Sequence, residues 1–140
     1  MLTLPGHLCK PYVTPPETPW PSFPRYKAAL LCLAADRNTY IKLSGAFNEF
    51  GPGPTPPSVD QILESLRPYL QIIREHFGSR ILFGSDWPVC NVGGPRGEQS
   101  WGLWREVVEA WVRKENVGEE VWAGAGCEVY GVEIKELGGE

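Results

Sequence analysis

Arg80-Ile81-Leu82-Phe83-Gly84-Ser85-Asp86-Trp87-Pro88-Val89 decides the fold. Its opening is a short apolar run, the pattern of a strand buried on both faces, as in a parallel sheet covered by helices. Upstream, Ser58 reads as an N-cap. Val59, Ile62, Leu63, Leu66, Leu70, Ile73 and Phe77 then recur at helical spacing up to Gly78, and Pro68 inside the run predicts a kink or two abutting helices. Thr39–Ser44 reads as a second strand, and Pro24–Arg37 as a helix carrying Tyr26, Ala29, Leu30, Leu33 and Ala34. Downstream, a loop over Ser85–Gly97 leads to a helix from about Gln99 to Glu115 with Trp104, Val107, Val108, Trp111 and Val112 on one stripe. A short final helix follows over Glu119–Val129, with its weak point at Gly124-Ala125-Gly126. Helices alternating with short strands predict βαβ units and an α/β fold.

The 140 residues suit one domain, with a proline-rich loop over 1–24 and βα units over 25–137. Sixteen glycines and 14 prolines are above the usual share, but seven prolines precede residue 25 and four more lie between 52 and 57. They mark long loops, among them 46–57, rather than a chain without a core. A net charge of −4 offers no basic footprint for nucleic acid, and no apolar run is long enough for a bilayer. The opening residues lack a secretory pattern. Four dispersed cysteines (9, 32, 90 and 127) form no C-x-x-C pair, which fits reduced thiols in a cytoplasmic protein.

In a parallel α/β sheet, chemistry gathers at the C-terminal ends of the strands. Alternation places Leu82, Gly84 and Asp86 on one face and Ile81 and Phe83 on the other. Asp86 is then thrown out at the strand's top, as a carboxylate that ligates a metal or activates water. The same residue before Trp87-Pro88 also suits an Asx turn. Tyr40, Lys42 and Ser44 share a face opposite Ile41 and Leu43. Lys42 is either a ligand-facing cation or part of the polar face of an edge strand. His7 is a loop histidine, and His76, in the last turn of its helix, is explained by the helix dipole. Gly124-x-Gly126 does not follow a strand and is no dinucleotide loop. Pro16-Glu17-Thr18-Pro19 and Pro21-Ser22-Phe23-Pro24 have P-x-x-P spacing, which allows a non-catalytic reading: an interaction protein presenting proline-rich loops.

R-I-L-F-G-S-D-W-P-V (80–89) resembles the last-strand signature of the amidohydrolase-related proteins of the "amidohydrolase 2" type, and the 46–57 loop and general style are most similar to fungal rhamnono-lactonase-like members. G-H-L-C-K-P (6–11), Y-I-K-L-S-G (40–45) and A-G-A-G-C-E-V-Y-G (123–131) are similar, in order, to that family's D-H-x-x-K-P, V-K-L-S-G and closing G-x-N-A-x-x-x-Y segments. The resemblance implies the C-terminal part of a (β/α)8 TIM barrel, about strands 6–8, and a hydrolase acting on a lactone or related cyclic ester or amide through an activated water. It implies Asp86 and His7 as catalytic residues and as ligands of any divalent metal, zinc or manganese. It also implies that Lys42 and Trp87 contact a small-molecule substrate. The chain departs from the family in lacking any H-x-H pair, and in having Gly6, Gly126 and Cys127 where the family has Asp, Asn and Ala. A closed barrel takes about 250 residues. The expectation is therefore a fragment inactive on its own, with exposed sheet edges that favour self-association.

Overall fold

The Ser58 cap is complete. Its Oγ accepts the Gln61 N–H at 3.3 Å while Gln61 Oε1 accepts the Ser58 N–H at 2.8 Å, a reciprocal capping box. In this computed structural model, which describes residues 23–49, 56–92 and 94–133, the box opens the longest helix, α2 (Val59–Phe77). Pro68 lies inside it. One continuous helix forms rather than two abutting ones, because Leu66, Tyr69, Leu70 and Ile73 on both sides of the proline are buried in one core. That packing outweighs the backbone hydrogen bond the proline removes.

Helix α1 (Phe23–Ala35) begins one residue ahead of Pro24 and buries Tyr26, Leu30 and Ala34, spaced four apart. Pro24 sits in its first turn, so the loop assigned to 1–24 gives way to helix at Phe23. The second P-x-x-P segment therefore runs into a helix at Phe23, whose ring packs edge-on to Tyr69 at 5.5 Å and stacks on Tyr26 at 6.3 Å. The first P-x-x-P segment lies outside the described residues. Past α1 the chain turns on Asp36, whose carboxylate accepts the Asn38 N–H and the Thr39 hydroxyl, both at 3.0 Å.

Strands β1 (Ile41–Leu43) and β2 (Ile81–Phe83) pair in parallel, with Ile41 opposite Ile81, Lys42 opposite Leu82 and Leu43 opposite Phe83. Both are shorter than the sequence predicts. Among the described residues they form a two-stranded sheet, so the existence of a strand 6 is not described. Residues 46–49 of the expected loop instead form a 3-10 turn (Ala46–Glu49) that buries Ala46 and Phe47.

Helix α3 (Ser100–Glu115) buries Leu103, Trp104, Val107, Val108, Trp111 and Val112. The chain then makes a 3-10 turn at Glu119–Val121 before a short helix, α4 (Gly124–Tyr130). The expected single final helix is thus two elements, divided ahead of Gly124 rather than within Gly124–Gly126.

The pleat sorts the strand residues as predicted. Ile41, Leu43 and Ile81 enter the main core with α1, α2 and α3, while Tyr40 and Leu82 form a second cluster with Ala125 and Val129 of α4. Arg80, 8% exposed, locks the N-terminal end of β2. Its guanidinium donates to the carbonyls of Ala34 (2.9 Å), Asp36 (2.8 Å) and His76 (3.0 Å), and to that of Thr39. It also lies 5.3 Å from the centre of the Phe77 ring.

Candidate active site at the strand ends

Lys42 and Gly84 meet on one face of the sheet. A Cβ added at Gly84 would lie 2.8 Å from Lys42 Cδ, 2.9 Å from its Cγ and 3.1 Å from Ser44 Cβ. The glycine therefore lets the aliphatic stem of a half-buried lysine lie flat against the neighbouring strand. Ser44 is buried beside it. Lys42 lies on the same side of the sheet as Tyr40 and Leu82, the side that α4 packs against.

Asp86 is reached differently from the way alternation predicts. The ladder ends at Phe83, so the pleat does not extend to it, and its position is set by a left-handed backbone, φ 57°. A non-glycine residue in that region is uncommon, and Asp tolerates it better than most. The turn is closed locally: Ser85 Oγ accepts the Trp87 N–H at 3.2 Å, and the Asp86 carbonyl accepts the Cys90 N–H at 2.8 Å. Asp86 Oδ2 is shut off from solvent, while the residue as a whole is half-buried. The buried Cys90 thiol is pushed above its ordinary value of 9.0, first by burial and then by the Asp86 charge. Trp87 is 68% exposed, and the Trp87–Pro88 bond is cis.

The two strand ends are tied together from behind. Trp104 Nε1–H donates to the Leu43 carbonyl at 3.2 Å and to the Gly84 carbonyl at 3.1 Å. By helical spacing alone this tryptophan is one more residue of a core stripe. The Asp86 loop is held in turn by Asn91, whose Oδ1 accepts the Trp101 N–H at 3.3 Å where α3 begins.

His7 lies outside the described residues, so its placement against Asp86 is not described. Among the described residues no three His, Cys, Asp or Glu side chains gather as a metal site, and Cys32, Cys90 and Cys127 are free. A groove of about 710 Å³ runs between α2 and α3, with Arg67, Trp111 and Glu115 among its walls and no residue of the strand ends.

An amidohydrolase family model matches residues 12–121. The chain belongs to the amidohydrolase family. It is 32% identical over 110 residues to the L-fucono-1,5-lactonase of Burkholderia ambifaria, a match covering 77% of this chain and 36% of that protein. Among solved structures it is similar to an amidohydrolase from Burkholderia multivorans with bound zinc, at 26% identity and a TM-score of 0.74, over 94% of this chain and 44% of that one. The same amidohydrolase with bound HEPES gives 25% identity and a TM-score of 0.75, over 94% and 45%. An amidohydrolase 2 protein of Bifidobacterium longum subsp. infantis, 19% identical with a TM-score of 0.56, shares the fold. The chain thus spans less than half the length of these relatives. None of the described helices is long and apolar enough to cross a membrane.

Proposed function

We propose that this chain supplies the last strands of a TIM-barrel hydrolase, cytoplasmic and acting on a sugar-derived lactone or related cyclic ester. The observation that carries the reading is the meeting of Lys42, Ser44 and Gly84 at the C-terminal strand ends, in line with the Asp86 turn. The match to an L-fucono-1,5-lactonase supports the substrate class. Lys42 is the cation that holds the lactone's polar substituents or polarises its carbonyl. Asp86 takes the proton of the attacking water, Trp87 lines the rim, and His7 assists as the second polar group. A carboxylate oxygen withdrawn from bulk water interacts more strongly with the one molecule that does reach it.

A divalent metal, where one binds, would activate that water. Zinc in the Burkholderia multivorans structure supports a divalent metal here, for which Asp86 and His7 are the proposed ligands. The described residues do not fit a complete site, since a catalytic zinc needs three protein ligands and only Asp86 of the proposed pair is described. No step is therefore derived through a metal. The rest of a barrel is needed to enclose the substrate, so the isolated chain turns over no lactone. The outward edges of β1 and β2, which among the described residues pair only with each other, favour self-association.

The test grafts this chain in place of the matching part of the Burkholderia ambifaria lactonase and assays aldonolactones with zinc or manganese added. The hybrid should hydrolyse lactone, Asp86→Asn should lower kcat by at least about 100-fold, and Lys42→Met should act chiefly on KM. A hybrid indifferent to Asp86→Asn refutes the assignment, as does lactone turnover by the isolated chain that survives the same substitution.

A further inference from the structure

Where β1 and β2 part, one backbone carbonyl loses its partner. The Gly84 N–H makes the last ladder bond, to the Leu43 carbonyl at 3.0 Å. In a continuing parallel ladder the Gly84 carbonyl would accept the next bond from the N–H of residue 45. Gly45 instead turns the chain away, with φ 68°. The Trp104 indole N–H fills the vacated position and bridges to the Leu43 carbonyl as well, so a single donor serves both strands. The ring is 2% exposed and packs edge-on, at 5.6 Å, against Phe47 in the turn that follows β1.

From this geometry we infer that Trp104 is a positioning residue, fixing the separation of the two strand ends that carry Lys42, Ser44 and the Asp86 turn. It reaches the site from the opposite face of the sheet and touches no substrate. A phenylalanine at 104 would fill much of the same volume but donate nothing. The part-buried Gly84 carbonyl would then lose its donor and the strand end would move to find another. The inference rests on the reading of these strand ends as a lactone-hydrolysing site, but its test does not depend on turnover.

Amide hydrogen exchange and NOE spectra of the whole chain provide that test. Trp104→Phe should speed exchange of the Gly84 N–H by at least about tenfold. It should leave the Ile41 N–H, which bonds the Arg80 carbonyl at the other end of the ladder, within about twofold of the parent. The NOE between the Lys42 methylenes and the Gly84 α-protons should weaken. Trp111→Phe, which trims another buried tryptophan of α3, should affect both amides alike. If the Phe variant does not fold, benzothienylalanine at 104 keeps the ring shape, lacks the N–H, and must give the same local pattern. Equal acceleration of both amides, or none, overturns the inference. A hybrid lactonase indifferent to Asp86→Asn would sink the proposed chemistry while leaving this clamp intact.

Discussion

Replacing Arg80 by methionine removes a buried cation from four backbone carbonyls contributed by three segments of the chain. Two of those carbonyls, Ala34 and His76, belong to the last turns of α1 and α2, where the helix dipole favours a positive charge. A hydrogen bond from a charged donor is worth about 1.5–3 kcal/mol net. Summing four such bonds would overstate the case, because burying the guanidinium costs several kcal/mol. Two of the four bonds are buried, and a buried carbonyl left without its donor costs about 1–3 kcal/mol, so about 2–6 for the pair; loss of the Phe77 contact adds about 0.5–1. With a urea m-value near 2 kcal/mol/M, the unfolding midpoint of Arg80→Met should fall by about 1.3–3.5 M at unchanged m. Arg80→Lys keeps the charge but cannot span four acceptors, and should recover less than half of the loss. A midpoint shift below about 0.5 M for Arg80→Met, on the same m-value, would refute the reasoning.

Hydrogen bonds from the Asn38 N–H and the Thr39 hydroxyl hold the Asp36 carboxylate below its ordinary value of 3.8. That contribution is present above pH 3.8 and fades as pH falls through the lower folded value, so Asp36→Ala should flatten the acid limb of a stability–pH curve measured by urea unfolding. The Tyr40 phenol, which donates to Glu128, is raised above 10.0 by that bond, by burial and by the Glu128 charge. Its stabilisation is complete below pH 10.0 and lost as pH rises through the folded value, and Tyr40→Phe should remove this alkaline loss. Asp86→Asn should bring the Cys90 thiol down toward 9.0 and quicken its alkylation, with exposed Cys32 as the internal standard. Gly84→Ala should cost about 1–3 kcal/mol in thermal unfolding, since Ser44 Cβ cannot yield as readily as the Lys42 stem.

The helices were legible because each buries an apolar stripe with the period its backbone imposes, and the capping box at Ser58 is a purely local signal. The faces of the strands were legible for the same reason. Asp86 was not, because alternation holds only while the strand lasts, and β2 stops at Phe83. Pro68 misled because its cost is local while its compensation comes from contacts across the core. Arg80 looked like a polar residue flanking a strand. Its partners at 34, 36, 39 and 76 come together only after folding, and no spacing announces four carbonyls. Trp104 was legible as core volume, but its N–H was not, because hydrophobic periodicity does not weigh donors.

The two ends of the sheet use polar groups in opposite ways. At the N-terminal end Arg80 is satisfied by four carbonyls and Tyr40 by Glu128, while α4 covers the face beside them. Those groups are committed to holding the fold, and displacing any of them to bind a ligand would cost stability. At the C-terminal end the carbonyls are served from behind by Trp104, a neutral donor on the core side. That division leaves the Lys42 side chain out of the task of closing the two strand ends. A site requires charged groups whose surroundings are rigid but whose own interactions are not all consumed by the scaffold. On the proposed reading, chemistry sits at the end where the strands separate and stability at the end where they begin.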